Sequence, residues 1–419
     1  MDKWFHRETW SAMIILKIML KKIEINNFLQ TLCEKLEKHK SEIIQANNLD
    51  INESRMLGKD DAFIERLTVS EKTFAGMLAS LKEIISQPFP IGNVLQEWEV
   101  PHNGLRIKRV TCPIGKILII YESRPNVTLD AFALCFKSGN SCILRGGSES
   151  FNTSSKIVEV IHKAFNDVNL SNVKDYFVQY VQTKNRTAIV DLLQKSDEID
   201  LVIPRGGKGL VEFVASNTKI PILKHLDGNC HTYIENTANA SEAISTLRNA
   251  KLRRVSICGA TESLVLDEGF AKKHLTAIVD AMPECEFVGC EQSRILDSRI
   301  KPATEEDYYT EYLKAKLSVK IVNNVDEAIK FINQYSSGHT EAIFSENMQA
   351  VQKFQEQIDS TIVMHNVSTQ FADGYEFGFG GEIGIATGKL HARGPVALNE
   401  LVTYKNIVYC DEKKYLKRK

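Results

Sequence analysis

Residues 117–145 read ILIIYESRPNVTLDAFALCFKSGNSCILR, and this stretch decides the fold class. Ile117-Leu118-Ile119-Ile120-Tyr121 is a short unbroken apolar run, the pattern of a strand covered on both faces. A helical pattern over 128–137 ends at the turn Ser138-Gly139-Asn140, and Cys142-Ile143-Leu144 is a second such run. A third, Leu201-Val202-Ile203, follows helical stretches at 150–166 and 185–195. Strand and helix alternating over 117–235 predict an α/β fold with a doubly wound parallel sheet. Such sheets take their ligands beyond the carboxyl ends of the strands. The segments to inspect are therefore 122–126, 145–149 and 204–209, each rich in Gly, Pro, Arg or Ser.

Outward from this core, residues 1–87 read as helical, with proline absent until Pro88 and Pro90. The run WSAMIILKIML at 10–20 loosely has the look of a secretion signal. Lys17 interrupts it, Lys21 and Lys22 close it, and it falls short of the roughly 20 apolar residues that span a bilayer. With Ile25, Phe28, Leu29, Leu32, Leu36, Ile43 and Ile44 at near-helical spacing, two packed helices are expected instead. Leu105-Arg106-Ile107-Lys108-Arg109-Val110 alternates like a half-buried strand. A second α/β unit is expected over 236–385, with strands near 263–266, 319–322 and 341–344.

Lys plus Arg number 52 against 53 Asp plus Glu, so no basic excess marks a nucleic-acid surface, and no membrane segment is expected. The nine cysteines are scattered without a CxxC pair, which argues against a zinc ribbon or a disulfide framework. A reducing, cytoplasmic setting follows, in which one thiol can serve as a nucleophile.

Arg145-Gly146-Gly147-Ser148-Glu149 and Pro204-Arg205-Gly206-Gly207-Lys208-Gly209 each follow a strand and open a helix. Glycine admits a phosphate close to the backbone, and the helix N-terminus offers free N–H groups. Two ordinary glycine turns with solvent-facing bases fit the same letters. In Arg253-Arg254-Val255-Ser256-Ile257-Cys258-Gly259-Ala260-Thr261, a cysteine stands beside two arginines and a glycine turn. It is either an activated thiol or a buried structural one. Ser368, Thr369, Lys389, His391 and Arg393 fall in a stretch of hydroxyls, glycines and bases, an anion-binding loop or a plain surface loop.

The runs YESRPNVTLDAFALCFKSGNSCILRGGSES (121–150), IPRGGKGLVEFV (203–214), DGNCHTYI (227–234), NAKLRRVSIC (249–258), SSGHTEAI (336–343) and KLHARGPVALNELVTYK (389–405) resemble the gamma-glutamyl phosphate reductase family. That family is a divergent branch of the aldehyde dehydrogenase superfamily, and the resemblance runs from about 22 to 410 in the family's order. It implies NADPH-dependent reduction of L-glutamyl 5-phosphate to L-glutamate 5-semialdehyde through a cysteine thioester, in proline biosynthesis. Cys258 would be the nucleophile, with Asn126 helping to receive the oxyanion. Arg145, Gly147, Ser148, Glu149, Arg205, Gly206, Gly207 and Lys208 would hold NADPH, and Glu311 its nicotinamide ribose. Arg254, Ser368, Thr369, Lys389, His391 and Arg393 would meet the substrate's phosphate and carboxylate. No metal is implied. Where oxidative relatives carry a glutamate base, this chain has His225-Leu226-Asp227-Gly228, so the thioester would wait for hydride rather than water.

The chain departs from the family at Val255, where proline is usual, at Gly259, where asparagine is usual, and at Lys314, where an acid is usual. At Gln370 an arginine is usual; if that arginine clamps an anion, the neutral amide would bind it more weakly. The expected architecture is aldehyde dehydrogenase-like. Residues 1–104 and 117–235 would form the NADP-binding domain, 236–385 the catalytic domain, and 105–116 with 398–412 an oligomerisation flap. The flap implies a homo-oligomer, and the labile acyl phosphate implies transient contact with a glutamate 5-kinase. The rival readings are a CoA-acylating or other semialdehyde dehydrogenase and a non-catalytic scaffold of the same fold.

Overall fold

The computed structural model describes residues 22–185, 187–224, 226–410 and 415–417, so the apolar run at 10–20 and residues 411–412 of the expected flap lie outside the described residues. The chain divides into two compact units, one of 1–223, 379–384 and 396–419, the other of 224–378 and 385–395.

In the first unit, strands β1 (Val94–Val100) and β2 (Leu105–Pro113) form an antiparallel pair. They are followed by β3 (Lys116–Tyr121), β4 (Ser141–Arg145), β5 (Val178–Tyr180) and β6 (Leu201–Arg205), which make a four-stranded sheet in the order β5-β4-β3-β6 with every pairing parallel. Ile117 to Tyr121 are all buried, as a strand covered on both faces requires. Helix Asn126–Lys137 packs on this sheet, and Phe28, Phe132, Phe136, Phe165 and Phe177 form one aromatic cluster with neighbouring centroids 4.3–6.2 Å apart. The N-terminal helices Lys22–Lys38 and Lys40–Met56 are fastened here by polar contacts as well. Asp50 accepts the backbone N–H groups of Asn152 (3.1 Å) and Thr153 (2.8 Å), placing a carboxylate at the start of helix Phe151–Asp167.

The second unit carries β7 (Cys230–Ile234), β8 (Thr261–Asp267), β9 (Glu286–Gly289), β10 (Lys301–Pro302), β11 (Lys316–Val322), β12 (Thr340–Phe344) and β13 (Ile362–His365). They form a seven-stranded sheet in the order β10-β9-β11-β8-β7-β12-β13, again with parallel pairings. A short ribbon pairs β14 (Ile385–Ala386) with β15 (Gly394–Pro395). The last strand, β16 (Val402–Tyr409), returns to the first unit and pairs with β2, giving a three-stranded antiparallel sheet β1-β2-β16.

Three boundaries differ from the sequence expectation. β7 pairs with β8 and β12, so the second unit begins at 224 rather than 236. β1, expected within the cofactor domain, joins the flap sheet, and residues 379–384 belong with the first unit. For β7 the reason is that a short strand's own letters fix its alternation but not its partner.

Candidate active site

At the carboxyl edge of the four-stranded sheet, three segments converge on Glu122. Its carboxylate accepts the backbone N–H of Gly207 (3.1 Å), and a Cβ on Gly206 would come within 2.5 Å of that carboxyl. A Cβ on Gly147 would press on the Glu122 carbonyl carbon and the Ser123 nitrogen, each 3.3 Å away. The glycines expected to admit a phosphate therefore also let the three loops meet. Glu122, at the head of the 122–126 segment, was not singled out by the sequence.

The two arginines of this edge are used differently. Arg145 is 6% exposed, and its guanidinium donates to the carbonyls of Gly146 and of Lys184 (3.2 Å). Two donors of Arg145, a residue expected to hold NADPH, thus face protein carbonyls, as a buried cation requires. Arg205 is half-buried and lies along Gly384. Gly207 caps helix Lys208–Ser216, with Gly207, Lys208 and Gly209 exposed.

Glu149 accepts the Ser148 hydroxyl (3.0 Å) and has the Lys59 ammonium 3.6 Å away. Burial pushes its carboxyl up, but a backbone N–H, Ser148 and Lys59 outweigh that and hold it below the usual carboxylate range. An ionised carboxylate beside an ammonium suits the ribose and phosphates of a dinucleotide. Lys59, distant in sequence, carried no local signal.

Asn126 opens the helix Asn126–Lys137, and its amide donates to Asp130 Oδ2 (3.4 Å) one turn on. Ser80 donates to the other oxygen of Asp130 (2.8 Å). The i, i+4 spacing of Asn126 and Asp130 was the readable sign of this pair.

In the second unit, Cys258 lies half-buried in the irregular segment between helix Ala240–Leu252 and β8. Two neighbours fix its backbone. A Cβ on Gly228 would fall 2.2 Å from the Cys258 carbonyl oxygen, so only glycine allows this approach. The Cys230 thiol donates to that same oxygen (3.1 Å). Burial, then the nearby Glu341, pushes Cys230 well above the ordinary thiol range, so it stays a neutral donor. The neck of the segment is closed by a fully buried ion pair between Lys251 and Glu262. Burial pushes the Glu262 carboxyl up against the pull of Lys251.

Glu311 is half-buried; burial raises its pKa, while the Gly228 backbone N–H it accepts works the other way. Glu311 and Cys258 thus both touch Gly228. Arg254 is exposed on the same segment. Of the remaining candidates, Ser368 and Thr369 lie in the turn that packs on Gly259 of this segment. Thr369 is fully buried with its hydroxyl 2.9 Å from that of Thr261, and Ser368 is buried, its hydroxyl accepting from Gln370 N–H (3.4 Å). In the described structure both hydroxyls are engaged by protein groups. Gln370 is likewise buried, its amide facing protein groups rather than an anion. Lys389 and Arg393 are exposed and share Asp359, with Arg393 Nη2 3.2 Å from Oδ1; His391 is exposed between them.

Residues 308–407 match the Aldehyde dehydrogenase family. Gamma-glutamyl phosphate reductase of Erythrobacter litoralis is 50% identical over 88% of this chain and 86% of its own length. The enzyme of that name from Thermotoga maritima is 41% identical over 92% of each chain. A crystal structure of gamma-glutamyl phosphate reductase from Thermotoga maritima superposes with a TM-score of 0.92 at 38% identity, covering 98% of both chains. An acetylating aldehyde dehydrogenase from Geobacillus thermoglucosidasius shares the fold, at a TM-score of 0.64 and 14% identity over 97% of this chain and 96% of its own.

Proposed function

The chain belongs to the gamma-glutamyl phosphate reductase family of the aldehyde dehydrogenase superfamily, and from that premise we propose that it carries its acyl group on Cys258. It is an oxidoreductase of proline biosynthesis, reducing L-glutamyl 5-phosphate to L-glutamate 5-semialdehyde with release of phosphate, and it uses a nicotinamide cofactor. The observation that carries the assignment is the fixed backbone of Cys258, held by Gly228 and the Cys230 thiol while the segment stays open enough to react.

In the proposed cycle the Cys258 thiolate attacks the acyl carbon and the electron pair moves to the acyl oxygen; the family resemblance gives Asn126 as the donor that would receive it. The pair returns, the carbon–oxygen bond to phosphate breaks, and a thioester remains. One such hydrogen-bond donor is worth about 3–4 kcal/mol in acyl chemistry. The cofactor, proposed to be NADPH, supplies the hydride when bound; Ser148, Glu149, Gly207 and Lys208 would hold it, and Glu311 its second ribose. Cys258 leaves again as thiolate when the aldehyde forms. Asp227 and Gly228 offer no glutamate at the place of the oxidative base, which supports persistence of the thioester.

The test runs the enzyme backwards on pyrroline-5-carboxylate. Oxidation is expected to need inorganic phosphate and to prefer NADP to NAD. Cys258→Ala is expected to lose at least about 10³-fold in kcat while keeping its fold. Turnover with coenzyme A in place of phosphate would transfer the chain to the acylating branch, and an active Cys258→Ala enzyme would remove the thioester.

Exposed Val94, Leu95, Tyr404 and Val408 on the two outer strands of the β1-β2-β16 sheet support self-association through that flap. A concentration-independent monomer mass in light scattering would refute it. Among the described residues no helix is long and apolar enough to cross a membrane, and a cytoplasmic setting is proposed. Transient contact with a glutamate 5-kinase is proposed from the lability of the acyl phosphate, and co-purification that never rises above background would count against it.

A further inference from the structure

The segment that carries Cys258 has little regular structure of its own. Helix Ala240–Leu252 ends just before it and β8 begins at Thr261, and within it one turn closes with Ala260 N–H donating to Ile257 (3.0 Å). Carbonyls in the last turn of a helix have no partner inside the helix. Ala250 is one of these, and the Gln370 side chain supplies the donor: its Nε2 lies 2.8 Å from the Ala250 oxygen and 3.4 Å from that of Arg254. The Gln370 side-chain oxygen, Oε1, in turn accepts the Arg253 Nε–H at 2.9 Å. One buried amide therefore holds the helix end and the first two residues after it at once.

A second contact comes from the same short turn, Thr369–Phe371. A Cβ on Gly259 would stand 3.0 Å from the Thr369 carbonyl oxygen, tighter than a side chain tolerates unless the neighbour yields. The residue after the nucleophile is thus pressed against the turn while the residues before it are hydrogen-bonded to it. Ser368 braces the turn by accepting the Gln370 N–H through its hydroxyl (3.4 Å).

We propose that Gln370 is a positioning residue for the Cys258 nucleophile, clamping the segment that bears it through Ala250, Arg253 and Arg254. This rests on Cys258 being the nucleophile. The clamp acts on placement, so its loss appears in kcat and in thiol reactivity rather than in substrate affinity. A displacement near 1 Å of a reacting group costs on the order of 100-fold in rate.

The experiment compares Gln370→Ala, Gln370→Glu and the exchanged pair Arg253→Gln/Gln370→Arg in the complete enzyme. Steady-state kinetics are read with pyrroline-5-carboxylate, phosphate and NADP, and iodoacetamide labelling of Cys258 is followed by peptide mapping. Gln370→Ala is expected to lower kcat roughly 10- to 100-fold with KM for either substrate within about threefold, and to change the labelling rate of Cys258. The exchanged pair, which keeps a donor and an acceptor across the contact, is expected to recover most of that loss. Unchanged kcat and labelling in Gln370→Ala would overturn the proposal. So would a rise in KM at constant kcat, which would make Gln370 a substrate ligand. If Gln370→Ala does not fold, Gln370→Glu decides: it keeps the acceptor for Arg253 but lacks the donor for Ala250, and full kcat there also overturns the clamp. Failure of the underlying reading is seen separately, as activity that survives Cys258→Ala.

Discussion

Two loops of the first unit are spelled almost alike, Arg145-Gly146-Gly147 after β4 and Arg205-Gly206-Gly207 after β6, and the structure uses them in opposite ways. β4 lies inside the four-stranded sheet, between β5 and β3, and its arginine is buried against the carbonyls of Gly146 and Lys184. β6 is the edge strand, and its loop runs into an exposed helix N-terminus, with one N–H already taken by Glu122. A strand with neighbours on both sides surrounds the residue that ends it, whereas β6 is bridged on its outer flank only at Val202, by Ile222, short of its carboxyl end. Position in the sheet, rather than the letters, decides whether a cation is structural or available to an anion.

Arg145→Ala is the strongest test of that contrast. It would leave the buried Gly146 carbonyl and the part-buried Lys184 carbonyl without this donor, and a void where the guanidinium lay, at about 3 kcal/mol of stability. Urea unfolding should show a lower midpoint at unchanged slope, and the folded variant should bind NADPH within about threefold of the parent. Unchanged stability with lost NADPH binding would make Arg145 a ligand after all.

Much of the architecture was readable in advance, because buried parallel strands such as Ile117–Tyr121 announce themselves by composition. What escaped depended on distant partners. Arg145 meets Lys184, 39 residues on; Glu149 meets Lys59; Gln370 meets Ala250, 120 residues back. β1 was missed for another reason: Val94 to Glu99 are all exposed in the chain, so no burial rhythm marks them. Cys258 and Asn126 were named from the family resemblance, whereas Asp130 lay in plain view one turn from Asn126 and went unused.

Asp130 sharpens the contrast with a third loop of the same edge, the one leading from β3 into Asn126. Burial pushes its carboxyl up to about 6, against the hydrogen bonds from Ser80 and Asn126. The folded protein therefore holds this proton between about pH 4 and 6, where the unfolded chain has released it. Stability contributed by this group is greatest below about pH 4, falls as pH rises to about 6 and stays lower above. A rise from about 4 to about 6 corresponds to nearly 3 kcal/mol, and partial solvent access reduces this to about 2 kcal/mol. Asp130→Asn should raise stability at pH 8 by up to that amount and flatten its decline between pH 4 and 6, while lowering kcat through a less firmly oriented Asn126. A steeper decline in the variant would reverse the sign argued here.

The smallest effect is expected where the edge loop meets solvent. Lys208 is the first residue of helix Lys208–Ser216, where a cation faces the positive end of the helix dipole and is mildly unfavourable to folding. Exposed at the end of this loop, the Lys208 cation is placed to meet an anionic cofactor. Lys208→Ala should thus leave stability unchanged or raise it by a few tenths of a kcal/mol, while weakening NADPH about fivefold, near 1 kcal/mol, as an exposed charge contact does. The loss should shrink as salt is raised to about 0.5 M, because exposed charges are screened there. Fluorescence titration of NADPH at two salt concentrations measures this directly. If Lys208→Ala instead destabilises the fold and spares the cofactor, the edge loop is structural too and the contrast with the Arg145 loop disappears.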